Sequence, residues 1–369
     1  MKVKVITITG ESNYGNSLQN YAVIQTLNSL GCEAQTVKTE YEPNFTKLCK
    51  KNLKIYTKVA LKIKNYHWFK RQMRFKKFSN RYLCKTEKVY SETAPTAVDD
   101  CDAIIFGSDQ IWNFTLGERM KNGISFYTGG FDFNGLKIAY SASVGADYIP
   151  DDFRDIMSKN LSSFAAISVR EQQARDIVGS VTDVPVDVTV DPTLMLDKSQ
   201  WLKIAKKPKY VHNGEHFVFT YFLGTQSDSV KDYISAVGKK YNLRVISLQS
   251  EWTEQSDIFN VDIYSTSPDE FLWLVANCDI VFTDSFHGSV FSIINEKPFR
   301  FFDRNTDFVG NMSSRLDTLF DKFQIGSWCR GNTEENIDDV FYKDYSNVPQ
   351  TLLNERAHAL SYLKNALGI

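Results

Sequence analysis

The sequence lacks several features that would place it in a membrane, in a secretory pathway or in a metal-binding class. It contains no run of about 18 uncharged apolar residues, so no membrane-spanning helix is expected. Residues 1–9 alternate charged and apolar side chains and lead into a turn, which indicates a strand and not a signal peptide. The six cysteines are scattered with no CxxC pair. We therefore expect a reduced, cytoplasmic chain without a zinc or iron–sulfur site.

Three common cofactor and catalytic signatures are also missing. Residues 10–15 do not have GxGxxG spacing, so a nicotinamide cofactor is not expected. No lysine follows a glycine-rich loop as in the Walker motif, and no GxSxG elbow indicates a serine hydrolase. His212 and His216 stand at helical spacing but beside Gly214 in a charged segment, which argues against a metal pair.

Positive charge is concentrated in one stretch. The net charge is −1, yet between Lys47 and Lys88 fifteen lysines and arginines stand against a single acid, so the stretch carries about +14 and the remainder about −15. Apolar and aromatic residues interleave with these cations, which predicts helices with an apolar and a cationic side. Such helices either bind an anionic membrane surface or pack on the protein with their lysines in solvent, and both interpretations stay open. Nucleic-acid binding is not expected, because the remainder is acidic and contains no recognised module.

The length of 369 residues and a composition of 43% hydrophobic and 24% charged residues fit a globular protein of two domains. Strands are predicted at 3–8, 34–38, 102–107, 138–141, 166–169, 186–190, 218–222, 244–248, 280–283 and 299–302. Helices are predicted at 18–30, 48–83, 151–159, 172–178, 229–240, 268–277, 289–295 and 352–363.

This alternation predicts an α/β protein with two Rossmann-like, doubly wound domains facing a cleft. The N-terminal domain is expected at residues 1–200, with a basic helical insertion at about 47–88. The C-terminal domain follows at 201–348, and an amphipathic helix at 349–369 is expected to pack back on the N-terminal domain.

The densest group of polar residues follows a predicted strand of the second half. Asp284, Ser285 and His287 come directly after that strand, and Gly288 and Ser289 lead into the next helix. Ligands of α/β sheets bind at the carboxyl ends of strands, and helix N-termini bind anions. A histidine on this turn can act as general acid or base on a phosphorylated substrate. The alternative is a core or turn histidine bonded to a carbonyl.

A polar and aromatic loop follows the strand that ends at Gly107. It contains Asp109, Gln110, Trp112 and Asn113, a combination that suits a sugar because a ring face packs on C–H groups while polar side chains bind hydroxyls. Side chains that cap the loop, with the tryptophan in the core, are an equally good interpretation.

Six segments resemble, in this order, motifs of the polysaccharide pyruvyl transferase family: 14–16, 106–113, 141–145, 167–171, 190–194 and 279–288. Each is weak alone, but six in order along most of the chain are specific. The resemblance implies a GT-B-like fold and the transfer of pyruvate from phosphoenolpyruvate, as a ketal, onto two hydroxyls of a sugar. The acceptor would belong to a surface polysaccharide, such as a capsule or exopolysaccharide, or to its lipid-linked precursor. The reaction requires no metal and no cofactor besides this co-substrate.

The resemblance also implies roles for individual residues. His287 is the expected acid or base. Arg170 is expected to contact the donor, with an ion pair to Glu171 as the alternative. Ser285 stands where many members have a donor-binding arginine, so Arg304 or Arg315 would have to supply that cation. The other expected contacts are Ser285, Gly288 and Ser289 with the donor, and Asn16, Asp109, Gln110, Trp112 and Asn113 with the acceptor.

Two other functions fit the same fold. A GT-B-like glycosyltransferase would need a base-stacking pocket and a diphosphate site for a nucleotide sugar in its C-terminal half. A non-catalytic carbohydrate or membrane-surface adaptor would keep its biological activity without His287.

Overall fold

The computed structural model describes residues 1–9, 13–39, 66–93, 96, 98–249, 266–304 and 313–369. The first domain is built on a seven-stranded parallel sheet in the order β3-β2-β1-β4-β5-β6-β7. The strands are β1 Lys2–Ile6, β2 Glu33–Thr39, β3 Lys85–Tyr90, β4 Ala103–Phe106, β5 Leu136–Ala142, β6 Ala166–Val169 and β7 Val186–Val188. The helices between them are α1 Tyr14–Ser29, α2 Tyr66–Tyr82, α3 Glu118–Tyr127, α4 Asp151–Leu161 and α5 Gln172–Gly179.

The second domain is built on a four-stranded parallel sheet in the order β11-β10-β8-β9. The strands are β8 Phe217–Phe222, β9 Arg244–Gln249, β10 Ile280–Thr283 and β11 Phe299–Phe301. The helices from the connection onward are α6 Lys198–Leu202, α7 Asp228–Lys240, α8 Pro268–Asn277, α9 Phe286–Ile294, α10 Ser313–Phe323, α11 Gly326–Cys329 and α12 Val348–Leu367. In the part of the chain that is described, no helix is long and apolar enough to cross a membrane.

The predicted α/β fold with two parallel sheets is confirmed. Strands β4 and β10 are buried along their whole length, and for this reason they are runs of mainly apolar residues in the sequence. Strand β3 was not predicted: four of its six residues lie in the stretch expected to be a basic helical insertion. As the last strand of the sheet, β3 pairs on one side only and its charged side chains stay in solvent. The sequence therefore lacks the apolar alternation by which a strand is predicted. The predicted helical segment at 48–65 lies outside the described residues.

Two helices begin earlier than the sequence predicts. Helix α1 starts at Tyr14, because the Asn13 side chain accepts a hydrogen bond from the Asn16 N–H and caps it. Helix α9 starts at Phe286, with Ser285 as its cap. His287 is therefore a first-turn helical residue, and its predicted place on the turn before the helix was wrong.

The two domains are in extensive contact. Tyr14 of α1 stacks on Phe271 of α8 with ring centroids 4.9 Å apart, and its hydroxyl donates to the Thr266 carbonyl at 3.1 Å. Helix α12 returns to the first domain, where Arg356 donates to the Leu194 carbonyl at 2.6 Å and Tyr362 to the Ala139 carbonyl at 2.6 Å. These contacts bring the carboxyl ends of β1, β4 and β6 toward the carboxyl end of β10.

Candidate active site

The start of α9 is organised by side chains of its own first turn. The Ser285 hydroxyl accepts from the Gly288 N–H at 3.3 Å, and the Ser289 hydroxyl donates to the Ser285 carbonyl at 3.2 Å. A side chain at Gly288 would collide with Thr283 of β10, so this glycine permits close packing of helix on strand. The structure thus gives Ser285, Gly288 and Ser289, predicted as donor contacts, a capping and packing role.

His287 lies between the two domains and is 8% exposed. Its Nδ1 edge packs on Gly15 at the start of α1, where any side chain would collide with the imidazole. Its Nε2 lies 3.7 Å from Oδ2 of Asp191. Burial lowers the pKa of His287, and although Asp191 and Asp109 oppose this effect, Arg170 and Arg315 add to it. The imidazole is therefore neutral near pH 7.

Asp191 holds both His287 and Arg170. Its Oδ1 accepts from the Thr193 N–H at 2.9 Å, and its Oδ2 lies 2.9 Å from Arg170 Nη2. Burial alone would raise the pKa of Asp191, but Arg170, His287 and Thr193 together lower it, so the group is a carboxylate. No local pattern of the sequence predicts this contact of Asp191 with His287, because it joins residues of different domains.

Arg170 follows β6, at its carboxyl end, and is 4% exposed. Its Nη2 donates to the Ser108 hydroxyl at 2.9 Å, and its guanidinium lies 5.0 Å from the centre of the Phe286 ring. Among the described residues, its Nε and Nη1 have no hydrogen-bond partner. A buried guanidinium with two such nitrogens is suited to binding an anion.

Arg315 of α10 reaches the same place from the other domain. Its guanidinium lies 5.8 Å from the Phe286 ring centre, so Arg315 and Arg170 lie near the same aromatic ring. With the Gln110 amide oxygen turned toward it, Gln110 accepts from Nη1 and Nη2 at 2.5 and 2.6 Å. Burial lowers the pKa of Arg315 to about 10, so it stays a cation at pH 7.

Arg304 takes a different position. Its Nε donates to Oδ2 of Asp284 at 3.2 Å, and this carboxyl also accepts from the Leu223 and Gly224 N–H groups at 2.6 and 2.7 Å. Of the two arginines expected to replace the one absent at position 285, Arg315 is therefore the one that joins Arg170 around Phe286.

The loop after β4 divides into two parts. Asp109 and Gln110 are buried near Arg315, and Asp109 has a left-handed backbone with φ 76°. Trp112 is fully buried, and its Nε1 donates to the Tyr127 carbonyl at 3.1 Å. Asn113 accepts from the Thr115 N–H at 2.9 Å and donates to the Gly145 carbonyl at 3.2 Å. Trp112 therefore fills the core and Asn113 caps the loop, and a contact of either side chain with an acceptor stays a prediction.

Asn16 lies on the first turn of α1, beside the glycine that packs on His287. It is half-buried, its N–H donates to Asn13 Oδ1 at 3.3 Å, and its carbonyl accepts from Gln19 Nε2 at 3.2 Å. Both contacts are made by its backbone, and the role of its side chain toward an acceptor stays a prediction. Within the described ranges, no group of three histidine, cysteine or acidic side chains is arranged to hold a metal ion.

Fold and site together define a two-domain, GT-B-like protein with buried cations and a neutral histidine between its domains. A family model described as polysaccharide pyruvyl transferase matches residues 13–306. The chain therefore belongs to the polysaccharide pyruvyl transferase family. No curated protein sequence matches it.

Solved structures resemble the fold at low sequence identity. A Listeria monocytogenes protein assigned as a UDP-N-acetylglucosamine 2-epimerase has 9% identity and a TM-score of 0.50, over 98% of this chain and 90% of that chain. The UDP-GlcNAc 2-epimerase of Methanocaldococcus jannaschii in complex with UDP-GlcNAc and UDP has 12% identity and a TM-score of 0.46, over 96% and 94%. Arabidopsis thaliana UGT89C1 complexed with UDP-L-rhamnose has 13% identity and a TM-score of 0.41, over 98% and 94%.

Proposed function

We propose that this protein transfers pyruvate from phosphoenolpyruvate onto two hydroxyls of one sugar, forming a ketal. The sugar belongs to a surface polysaccharide or to its lipid-linked precursor. The observation that supports this most is the pair of buried guanidiniums, Arg170 and Arg315, which both lie near the Phe286 ring and close to the neutral imidazole of His287.

Donor binding follows from the charges of the site. Phosphoenolpyruvate has a carboxylate and a phosphate on the same carbon, C2, so it presents two anionic groups at short separation. Two planar guanidiniums match such a pair better than lysines would. Arg170 is held by Asp191 and Ser108 through Nη2 alone, which leaves its Nε and Nη1 to bind the donor.

His287 acts as the base in this scheme. The sugar oxygen bonds to C2 while the hydroxyl proton passes to the imidazole, and Asp191, 3.7 Å from Nε2, stabilises the imidazolium that forms. C3 gains a proton and becomes a methyl group. The second hydroxyl then displaces phosphate from C2, and its proton leaves with the phosphate. Phosphoenolpyruvate and a diol thus give a ketal and inorganic phosphate.

Thermal unfolding with different donors tests the donor class. Phosphoenolpyruvate at 100 times its dissociation constant should stabilise the protein by about 2.7 kcal/mol and raise Tm accordingly. A panel of sugar nucleotides at the same concentrations should leave Tm unchanged. A rise in Tm with a sugar nucleotide and none with phosphoenolpyruvate would favour the glycosyltransferase.

We also place the reaction in the cytoplasm, at an anionic membrane surface that holds a lipid-linked acceptor. Helix α2 exposes Lys76, Lys77 and Arg81, while its Phe75 and Phe78 are buried in the protein core. Contact through α2 would therefore be electrostatic, at about 1 kcal/mol for each cation near the surface.

Vesicle sedimentation tests this contact. The protein should bind anionic but not neutral vesicles at low salt, and the double variant Lys76→Glu/Lys77→Glu should bind them more weakly. Lys159→Glu/Lys239→Glu, which changes the same charge at exposed positions elsewhere, is the control. An absence of binding to anionic vesicles at low salt leaves only the interpretation that these lysines face solvent.

A further inference from the structure

The proposed reaction needs an acid as well as a base, and the following inference rests on that proposed function. When the sugar oxygen adds to C2, the neighbouring carbon C3 must receive a proton. His287 is neutral at the start, because burial lowers its pKa, so it can take a proton but has none to give. Another group of the site has to hold the proton for C3.

Glu171 lies in the right place to hold it. It follows Arg170 directly, stands at the N-cap position of α5 without a side-chain capping bond, and is 1% exposed. The Ser143 hydroxyl donates to its Oε1, and its Oε2 has no hydrogen-bond partner among the residues that the structure describes. The charged groups that face it are Arg170 beside it and Arg315 from the opposite domain. These are the two cations to which the donor is assigned.

The environment of Glu171 shifts its carboxyl toward the protonated form, compared with an exposed glutamate. Burial raises the pKa of this carboxyl, and Arg315, Arg170 and Ser143 reduce the rise without cancelling it. The pKa of His287 is shifted in the opposite direction, also by burial. Both groups interact with Arg170 and Arg315, and two titratable groups of one site with opposite shifts are the arrangement expected of an acid and a base that act in one reaction.

We propose that Glu171 is the general acid that protonates C3 of phosphoenolpyruvate. The π electrons of the C2–C3 bond take the proton from the Glu171 carboxyl and form the new C–H bond. C2 becomes electrophilic and bonds to the sugar oxygen, whose proton passes to His287. Glu171 is left as a carboxylate that Arg170 and Arg315 stabilise. It regains a proton from solvent before the next turnover, while His287 releases one.

The substitution Glu171→Gln tests this role. The amide keeps the size of the side chain and still accepts from Ser143, but it cannot deliver a proton. We expect phosphate release from phosphoenolpyruvate to fall by at least about 10²-fold, while the donor still raises Tm. In the unmodified protein, activity should rise with pH as His287 loses its proton and fall as Glu171 loses its own. In the Glu171→Gln variant, activity should no longer fall at high pH. Glu171→Asp should restore part of the rate and change the pH at which activity falls.

Glu92→Gln is the matched control, because Glu92 is also a buried glutamate but pairs with Arg119, away from the site. It should keep both limbs of the pH profile. A Glu171→Gln protein with an unchanged rate and both limbs would overturn the proposal. If the Glu171→Gln protein does not fold, Glu171→Asp is measured instead. A Glu171→Asp protein whose activity falls at the same pH as that of the unmodified protein would also overturn the proposal. Failure of the unmodified protein to release phosphate would instead contradict the proposed function itself.

Discussion

Replacing His287 with glutamine is expected to lower turnover by about 10² to 10⁴-fold, the range for loss of a general acid or base. Glutamine occupies a similar volume between Gly15 and Asp191 but cannot take the proton of the sugar hydroxyl. The protein should keep its Tm and its stabilisation by phosphoenolpyruvate, because the guanidiniums are unchanged. Phosphate release under saturating donor and acceptor measures the effect.

His216→Gln provides the control for this substitution. His216 is an exposed histidine of the same domain that contacts Asp279, so its replacement should leave turnover unchanged. A His287→Gln protein with near-normal turnover would remove His287 from the mechanism. His287→Ala should lower turnover by a factor of the same order as His287→Gln. Because only the glutamine keeps the packing of the imidazole, equal losses show that the chemistry of the ring is responsible.

Arg170→Ala is expected to weaken phosphoenolpyruvate binding by about 2–5 kcal/mol, which is the cost of removing one member of a buried, hydrogen-bonded charge pair. The free protein should also lose stability, since Asp191 would keep a buried carboxylate without its guanidinium partner. Arg170→Lys should recover only part of the affinity, because an ammonium cannot contact Asp191, Ser108 and the donor in one plane.

Calorimetric titration with phosphoenolpyruvate, together with a thermal melt of each free variant, separates these two effects. Arg175→Ala removes an exposed arginine from the neighbouring helix α5 and should change neither value. Unchanged donor affinity in Arg170→Ala would show that this guanidinium serves only the ion pair with Asp191.

The sequence predicts most accurately the strands that are buried along all or most of their length. The strand before Arg170 and the strand before His287 match their predicted bounds, since buried parallel strands are short apolar runs. It does not predict β3, whose charged face is in solvent at the edge of the sheet. Trp112 shows a second limit of prediction from sequence. It lies in an irregular loop, where no periodicity distinguishes a tryptophan buried in the core from one that faces a ligand.

The sequence predicts individual residues of the candidate site, each from its position at the end of a strand, but not how these residues are arranged around one another. His287 and Arg170 stand out because each follows a buried strand. Their relation to Gly15, Asp191 and Arg315 depends on how the two domains meet, and no local pattern encodes it. From the sequence, Glu171 could be predicted only as an ion-pair partner of Arg170, because its burial near both Arg170 and Arg315 is a property of the folded chain.

The most direct test of the proposed donor is incubation with ¹³C-labelled phosphoenolpyruvate and a lipid extract that supplies lipid-linked saccharides. Phosphate release is measured together with the NMR signal of the ketal methyl group. We expect phosphate and labelled ketal to appear in equal amounts, only when the extract is present, and neither to appear with the His287→Gln protein. Saccharides that gain a sugar from an added nucleotide sugar, with phosphoenolpyruvate left intact, would contradict the proposed function.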